Sequence, residues 1–217
     1  MSAINYLVFG NPMREHLKFL EKETYLDTLL NELKSYAPPL NSDNDSFVEL
    51  NQVMEAIKEL SDQQTKLYTY KKIDIALESY IYEWLINNSN VDAEAVNSML
   101  KDIHEDCIPI LLKTKYHYQR VRPFTLAYHY KLELYPYYSN TDKTPSYPSG
   151  HVFMSKIYCE VLGNTFPRFY APLMELQKQV KQSRISLGLH YPSDCEFAEY
   201  AATLILNHPD FKKKYKL

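Results

Sequence analysis

Between residues 115 and 194 the chain holds three short stretches whose cationic, hydroxyl and imidazole side chains have the makings of a phosphate site. The first runs Lys115-Tyr-His-Tyr-Gln-Arg-Val-Arg122-Pro123. A continuous helix would set Lys115 and Arg122 on one face, where two cations can offset an oxyanion; the alternative is an ordinary solvated face. The second is Ser146-Tyr-Pro-Ser149-Gly150-His151, which reads as a helix N-terminus. Free backbone N–H groups there attract anions, Gly150 permits close approach, Ser149 adds a hydroxyl and His151 would stand beside the bound group. Read without a ligand, it is a Ser-Gly cap with an incidental histidine.

The third stretch, Ser183-Arg184-Ile-Ser-Leu-Gly-Leu-His190-Tyr-Pro-Ser-Asp194, takes a helix into a tight turn that ends on an acid. Arg184 can fork onto phosphate oxygens, and Asp194 can accept from one nitrogen of His190, leaving the other unprotonated and nucleophilic. The same residues also fit a core histidine satisfied by a nearby acid.

These side chains need a rigid scaffold, and the pattern of the chain supplies helices. Only four glycines occur, and apolar residues recur at three- and four-residue intervals, so the expected fold is all-α, a single compact domain of about seven or more helices. Helices are expected over about 12–35, 46–60, 66–87, 92–114, 151–163, 169–186 and 194–207. Ser46 and Glu49 read as a capping box at the start of the second, ahead of the stripe Phe47, Leu50, Met54, Ile57 and Leu60. Residues 131–148, rich in Tyr, Asn, Asp, Thr and Pro, form the longest expected loop. The segment from about 61 to 91 receives no function, and its aromatic residues read as core packing.

Composition narrows the partners. Apolar residues make up 45% and charged residues 24%, a globular balance. A net charge of −3 argues against a nucleic-acid polymer or an anionic membrane surface as partner. Apolar runs are too short for a membrane span. Cys107, Cys159 and Cys195 fit neither a zinc pattern nor a closed disulfide framework and read as buried free thiols. Residues 1–9 lack the features of an export signal, so the chain as given reads as cytoplasmic, or as periplasmic if a signal has been removed.

Together the three stretches resemble the signature of the type 2 phosphatidic acid phosphatase superfamily: Lys, six residues, Arg-Pro; Pro-Ser-Gly-His; then Ser-Arg, five residues, His, three residues, Asp. Within that superfamily the chain is most similar to bacterial class A nonspecific acid phosphatases over about residues 36–217, through Tyr36-Ala-Pro-Pro-Leu-Asn-Ser, the Ser146–His151 string and the Asn207-His-Pro-Asp-Phe211-Lys run. Residues 1–35 then form an N-terminal helical extension to the family-like core.

The resemblance implies His190 as nucleophile, His151 as general acid and base, Asp194 as the group that orients His190, and Lys115, Arg122, Ser149, Gly150 and Arg184 as phosphate-binding residues. It implies a phosphorylated small-molecule substrate, no metal or other cofactor, a phosphohistidine intermediate, inhibition by vanadate, a rate maximum on the acidic side of neutrality and a homo-oligomer, and leaves phosphotransfer open beside hydrolysis. A vanadate-dependent haloperoxidase built on the same residues and a noncatalytic helical interaction protein are the alternatives. Departures from the family pattern are the missing export signal and Cys195-Glu-Phe-Ala-Glu199 after the final acid.

Overall fold

The computed structural model describes residues 3–217, so the first two residues of the expected 1–35 extension lie outside the described residues. The fold is all-α, with no strand among the described residues. Eleven α-helices are found there: α1 (Arg14–Leu20), α2 (Leu30–Leu33), α3 (Asn44–Ser61), α4 (Gln64–Ile75), α5 (Leu77–Asn87), α6 (Ala93–Tyr118), α7 (Pro123–His129), α8 (Gly150–Thr165), α9 (Tyr170–Ser186), α10 (Pro192–Asn207) and α11 (Pro209–Tyr215). None is long and apolar enough to cross a membrane. The larger core is built mainly from α4–α6 and α8–α11, with Leu26, Leu33 and Leu60 added from the segments before them, while Leu50, Val53, Val121, Leu126, Leu134 and Tyr191 form a smaller one where α3 meets α7. All three cysteines are buried and free.

Two expected helices are each split. The 12–35 segment breaks after α1, because Thr24 adopts extended backbone and its N–H donates to Asp27 at 3.2 Å, restarting the chain as a short 3-10 turn ahead of α2. The 66–87 segment breaks at Ala76, which has φ −155 and ψ 70 and separates α4 from α5. That break frees the carbonyls of the last turn of α4, Asp74 among them, from intrahelical bonding.

The capping box expected at Ser46 and Glu49 is not formed. The helix begins two residues earlier, Ser46 donates to the Leu40 carbonyl at 2.8 Å, and Glu49 is drawn inward by Arg120 at 2.8 Å. Phe47, the first residue of the stripe, is exposed, whereas Leu50 and Leu60 are buried.

Lys115 and Arg122 do not share a helix. Chain reversal at Gln119, in the left-handed region at φ 50, ends α6, and Pro123 opens α7 at its first position with Arg122 as its N-cap. Residues 131–149 form the expected long segment without helix or strand. Of the aromatics at 61–91, Tyr70 is buried in the core, Tyr80, Tyr82 and Trp84 pack against it, and Tyr68 is exposed.

Candidate active site

The three sequence stretches meet where the ends of α6, α8, α9 and α10 converge. His190 is placed by a turn that only glycine permits. Gly188 has φ +79, and an added Cβ would come within 2.8 Å of Ile57 and 3.0 Å of the Pro136 backbone. The backbone N–H groups of Leu189 and His190 both donate to the Arg184 carbonyl, at 3.1 and 3.2 Å, folding the histidine back over the end of α9.

His190 is 2% exposed and held from both sides. Its Nδ1 lies 3.1 Å from Asp194 Oδ2, and its Nε2 lies 2.8 Å from Arg122 Nη1. Asp194 is acceptor-only when ionised and Arg122 is donor-only, so the proton sits on Nδ1 and the lone pair on Nε2. Burial and then the Arg122 guanidinium push the His190 imidazole well below its ordinary value, against the opposing pull of Asp194. Burial works to raise the Asp194 carboxyl, but Arg120 and the bond from His190 overcome it and hold the group well below the carboxylate range. The site therefore presents a neutral, oriented imidazole on an ionised acid.

A layer the sequence reading missed fixes Asp194. Arg120 Nη1 donates to Asp194 Oδ1 at 2.7 Å, its Nη2 reaches Glu49 at 2.8 Å, and its guanidinium lies 3.8 Å from the Tyr191 ring centre. Ser193 donates to Glu49 from both its N–H, at 2.6 Å, and its hydroxyl, at 2.9 Å. The Ser146 hydroxyl closes on Asp194 Oδ2 in a short hydrogen bond. Arg120 lies inside the Lys115–Arg122 stretch, so its nearness to the site was legible; Glu49 carried no such signal.

The remaining cations are anchored by the long loop. Lys115 Nζ donates to the Pro145 carbonyl at 2.6 Å, and Arg122 Nε donates to the Thr144 carbonyl at 3.0 Å. Arg184 is 0% exposed; its Nη1 meets Asp74 at 2.7 Å and its Nη2 meets Thr141 at 3.2 Å, while its Nε is buried without a partner. Burial lowers the Lys115 ammonium well below its ordinary value, with Arg122 adding to the effect, and burial with Arg184 lowers the Arg122 guanidinium to about 10. Such mutual repulsion between buried cations is what an incoming anion relieves.

Ser149 caps α8 and donates its N–H to the Asp194 carbonyl at 3.0 Å, joining the second stretch to the third. Its hydroxyl lies beside the Cys195 thiol and otherwise finds no partner. A Cβ on Gly150 would make only ordinary contact with Leu111 and Lys115, so packing alone does not require glycine there.

Asp74 also went unassigned, and it lies in the segment to which no function was given. Besides gripping Arg184, its carboxylate accepts from Ser139 at 3.0 Å and Thr141 at 2.7 Å. Its freed backbone carbonyl sits 3.1 Å from His151 Nε2, which fixes that nitrogen as the donor and leaves Nδ1 as the acceptor. One residue thus ties Arg184 to His151. Burial and Arg184 lower the His151 imidazole to about 3, so it is neutral in this arrangement.

All eight expected site residues fall in this one region. Lys115, Gly150 and His151 line a cavity of about 700 Å³, joined by Asp74, Thr141 and Thr144. Arg122, Arg184 and His190 are buried and do not themselves line it, but Thr144 bonds Arg122 and Thr141 bonds Arg184 from its wall.

The chain matches the family model described as PAP2 superfamily over residues 93–208, just over half its length. It is 27% identical to a non-specific acid phosphatase of Providencia stuartii over 57% of this chain and 51% of that protein. It is 34% identical to a non-specific acid phosphatase of Salmonella typhi over 42% of this chain and 36% of that protein. The chain thus spans about half the length, or less, of the curated relatives it matches.

Proposed function

The chain belongs to the PAP2 superfamily, and we propose that it is a metal-independent phosphate monoester hydrolase working through a phosphohistidine on His190. The observation that carries the reading is the clamp on His190: Nδ1 on Asp194, and Nε2 unprotonated and aimed at the Arg122 guanidinium among buried cations. An imidazole needed only for packing has no use for a cation on its lone pair. The similarity to two non-specific acid phosphatases favours ester hydrolysis over the haloperoxidase and the noncatalytic alternatives.

In the proposed reaction, Lys115, Arg122 and Arg184 take up the charge of the phosphoryl oxygens, with the Ser149 hydroxyl and the N–H groups that open α8 at Gly150 and His151. Positioning and charge stabilisation dominate such transfers. As phosphate enters, the Arg122 N–H moves from His190 to an oxygen and releases Nε2. Nε2 attacks phosphorus as the bond to the leaving oxygen breaks, and His151 hands that oxygen a proton. Water, deprotonated by His151, then splits the phosphorus–nitrogen bond and regenerates neutral His190.

A neutral His151 changes where the first proton comes from. Phosphate monoesters lose their second proton near pH 6, so the monoanion brings one into the pocket, and His151 Nδ1 relays it. The expected rate maximum below neutrality is retained, with the substrate setting its upper edge.

The test is hydrolysis of a panel of aryl and alkyl monoesters after treatment with EDTA. Turnover that survives EDTA, is inhibited competitively by vanadate, and falls at high pH along each substrate's own second ionisation supports the reading. Activity abolished by EDTA and restored by an added metal contradicts it.

A further inference from the structure

The cavity is much longer than a phosphate needs. Lys115, Leu111, Ile108 and His104 follow one another along α6 away from the phosphate end, and His151, Met154 and Tyr158 follow along α8. At 1.5 Å per residue the two walls extend about 16 Å and about 10 Å. Ile75 and Leu77, from the break between α4 and α5, and Phe19 of α1 add further apolar lining.

The far end is polar. Tyr158 donates to Glu78 Oε1 at 2.6 Å, and His104 Nδ1 approaches the same oxygen at 2.5 Å. The side chains of Glu78 and His104 are 42% and 40% exposed, and Glu78 Oε2 has no protein partner among the described residues. Both of its neighbours supply donors, so what this end still offers a ligand is an acceptor on a carboxylate. Burial pushes the Glu78 carboxyl up, but the bonds from His104 and Tyr158 prevail and keep it low and ionised. Glu15 and Lys18 of α1 also line the cavity and largely offset one another.

Resting on the reading of Lys115, Gly150 and His151 as the phosphate end, we propose that the cavity is a leaving-group slot selecting monoesters whose alcohol has an apolar body and a terminal hydrogen-bond donor, received by Glu78 with His104 and Tyr158. A chain advances about 1.2 Å per bond when extended, so roughly eight bonds separate the leaving oxygen from that donor. An ammonium outranks a hydroxyl there, a methyl terminus gains nothing, and a carboxylate is repelled.

The experiment compares methyl, hexyl, 6-hydroxyhexyl and 6-aminohexyl phosphates. The wild-type chain is expected to favour 6-aminohexyl over hexyl phosphate by about 5- to 10-fold in kcat/KM, the size suited to a charge-assisted bond at a half-exposed site. Glu78→Gln keeps the hydrogen bond from Tyr158 but removes the charge; it should erase that preference and leave methyl phosphate turnover unchanged. Equal rates for the two long esters, or a preference that survives Glu78→Gln, overturn the slot. Calorimetric binding of hexyl- and 6-aminohexylphosphonate reads the same preference without turnover. If none of the four esters is hydrolysed, the hydrolase reading falls, and the phosphonate affinities still decide for or against the slot.

Discussion

Arg122 Nη1 and His190 Nε2 lie 2.8 Å apart, so the cation proposed to bind phosphate rests on the nitrogen proposed to attack it. After burial, Arg122 is also the main influence holding His190 neutral. Arg122→Ala should therefore do two separable things. Loss of one oxyanion donor should lower kcat by about 100-fold or more. Removal of the charge should raise the His190 pKa, and because the nucleophile must be neutral, the acid limb of the pH–rate profile moves to higher pH. Arg122→Lys should restore the limb but only part of the rate, since an ammonium lacks the fork. An unmoved acid limb in Arg122→Ala contradicts the coupling.

Asp74 accepts from Arg184 Nη1 at 2.7 Å, one of the donors proposed for an incoming phosphate. Asp74→Asn should let phosphate compete more easily, tightening product inhibition several-fold and slowing kcat through product release. Asp74→Ala leaves Arg184 buried without its partner and should cost about 3–5 kcal/mol of stability, recovered in part by added phosphate. Inhibition constants and melting temperatures check both. Weaker phosphate inhibition with unchanged kcat in Asp74→Asn would remove Asp74 from the site.

Stability should fall with acid even though the proposed chemistry favours it. His151 and His190 both have folded pKa values below 6.5, so the unfolded chain takes up protons that the folded chain refuses. Each histidine then contributes stability that is present above 6.5 and lost as pH falls toward its folded value, at about 1.4 kcal/mol per pH unit. Asp74 and Asp194, depressed below 3.8, add losses in the same direction at lower pH. Melting temperature should drop by roughly 10 °C between pH 7 and pH 5, and substituting both histidines by Asn should flatten that slope. A profile already flat in the wild type would contradict the burial of two neutral imidazoles.

The candidate site was legible because its residues sit in three short runs whose spacing is set by local structure: a helix end, an N-cap, and a turn that requires Gly188. Helix type was legible for the same reason. What escaped depends on contacts distant in sequence. Asp74 is 110 residues from Arg184, and its role follows from the break at Ala76, which no glycine or proline marks. Glu49 looked like a capping residue because its sequence neighbours fit that pattern, yet buried Arg120 offered it a stronger partner. The shared helix face for Lys115 and Arg122 failed through the left-handed Gln119, a conformation open to glutamine but not announced by it.

The central claim, a phosphohistidine on His190, is tested most directly by rapid-quench trapping with a phosphorus-labelled aryl phosphate, followed by alkaline denaturation and peptide mapping. The account predicts label on His190, stable to base and labile to acid, appearing within a single turnover and absent from His190→Ala. Acid-labile label on the His190→Ala chain, or turnover in the wild type with no label on His190 at any time, would contradict it.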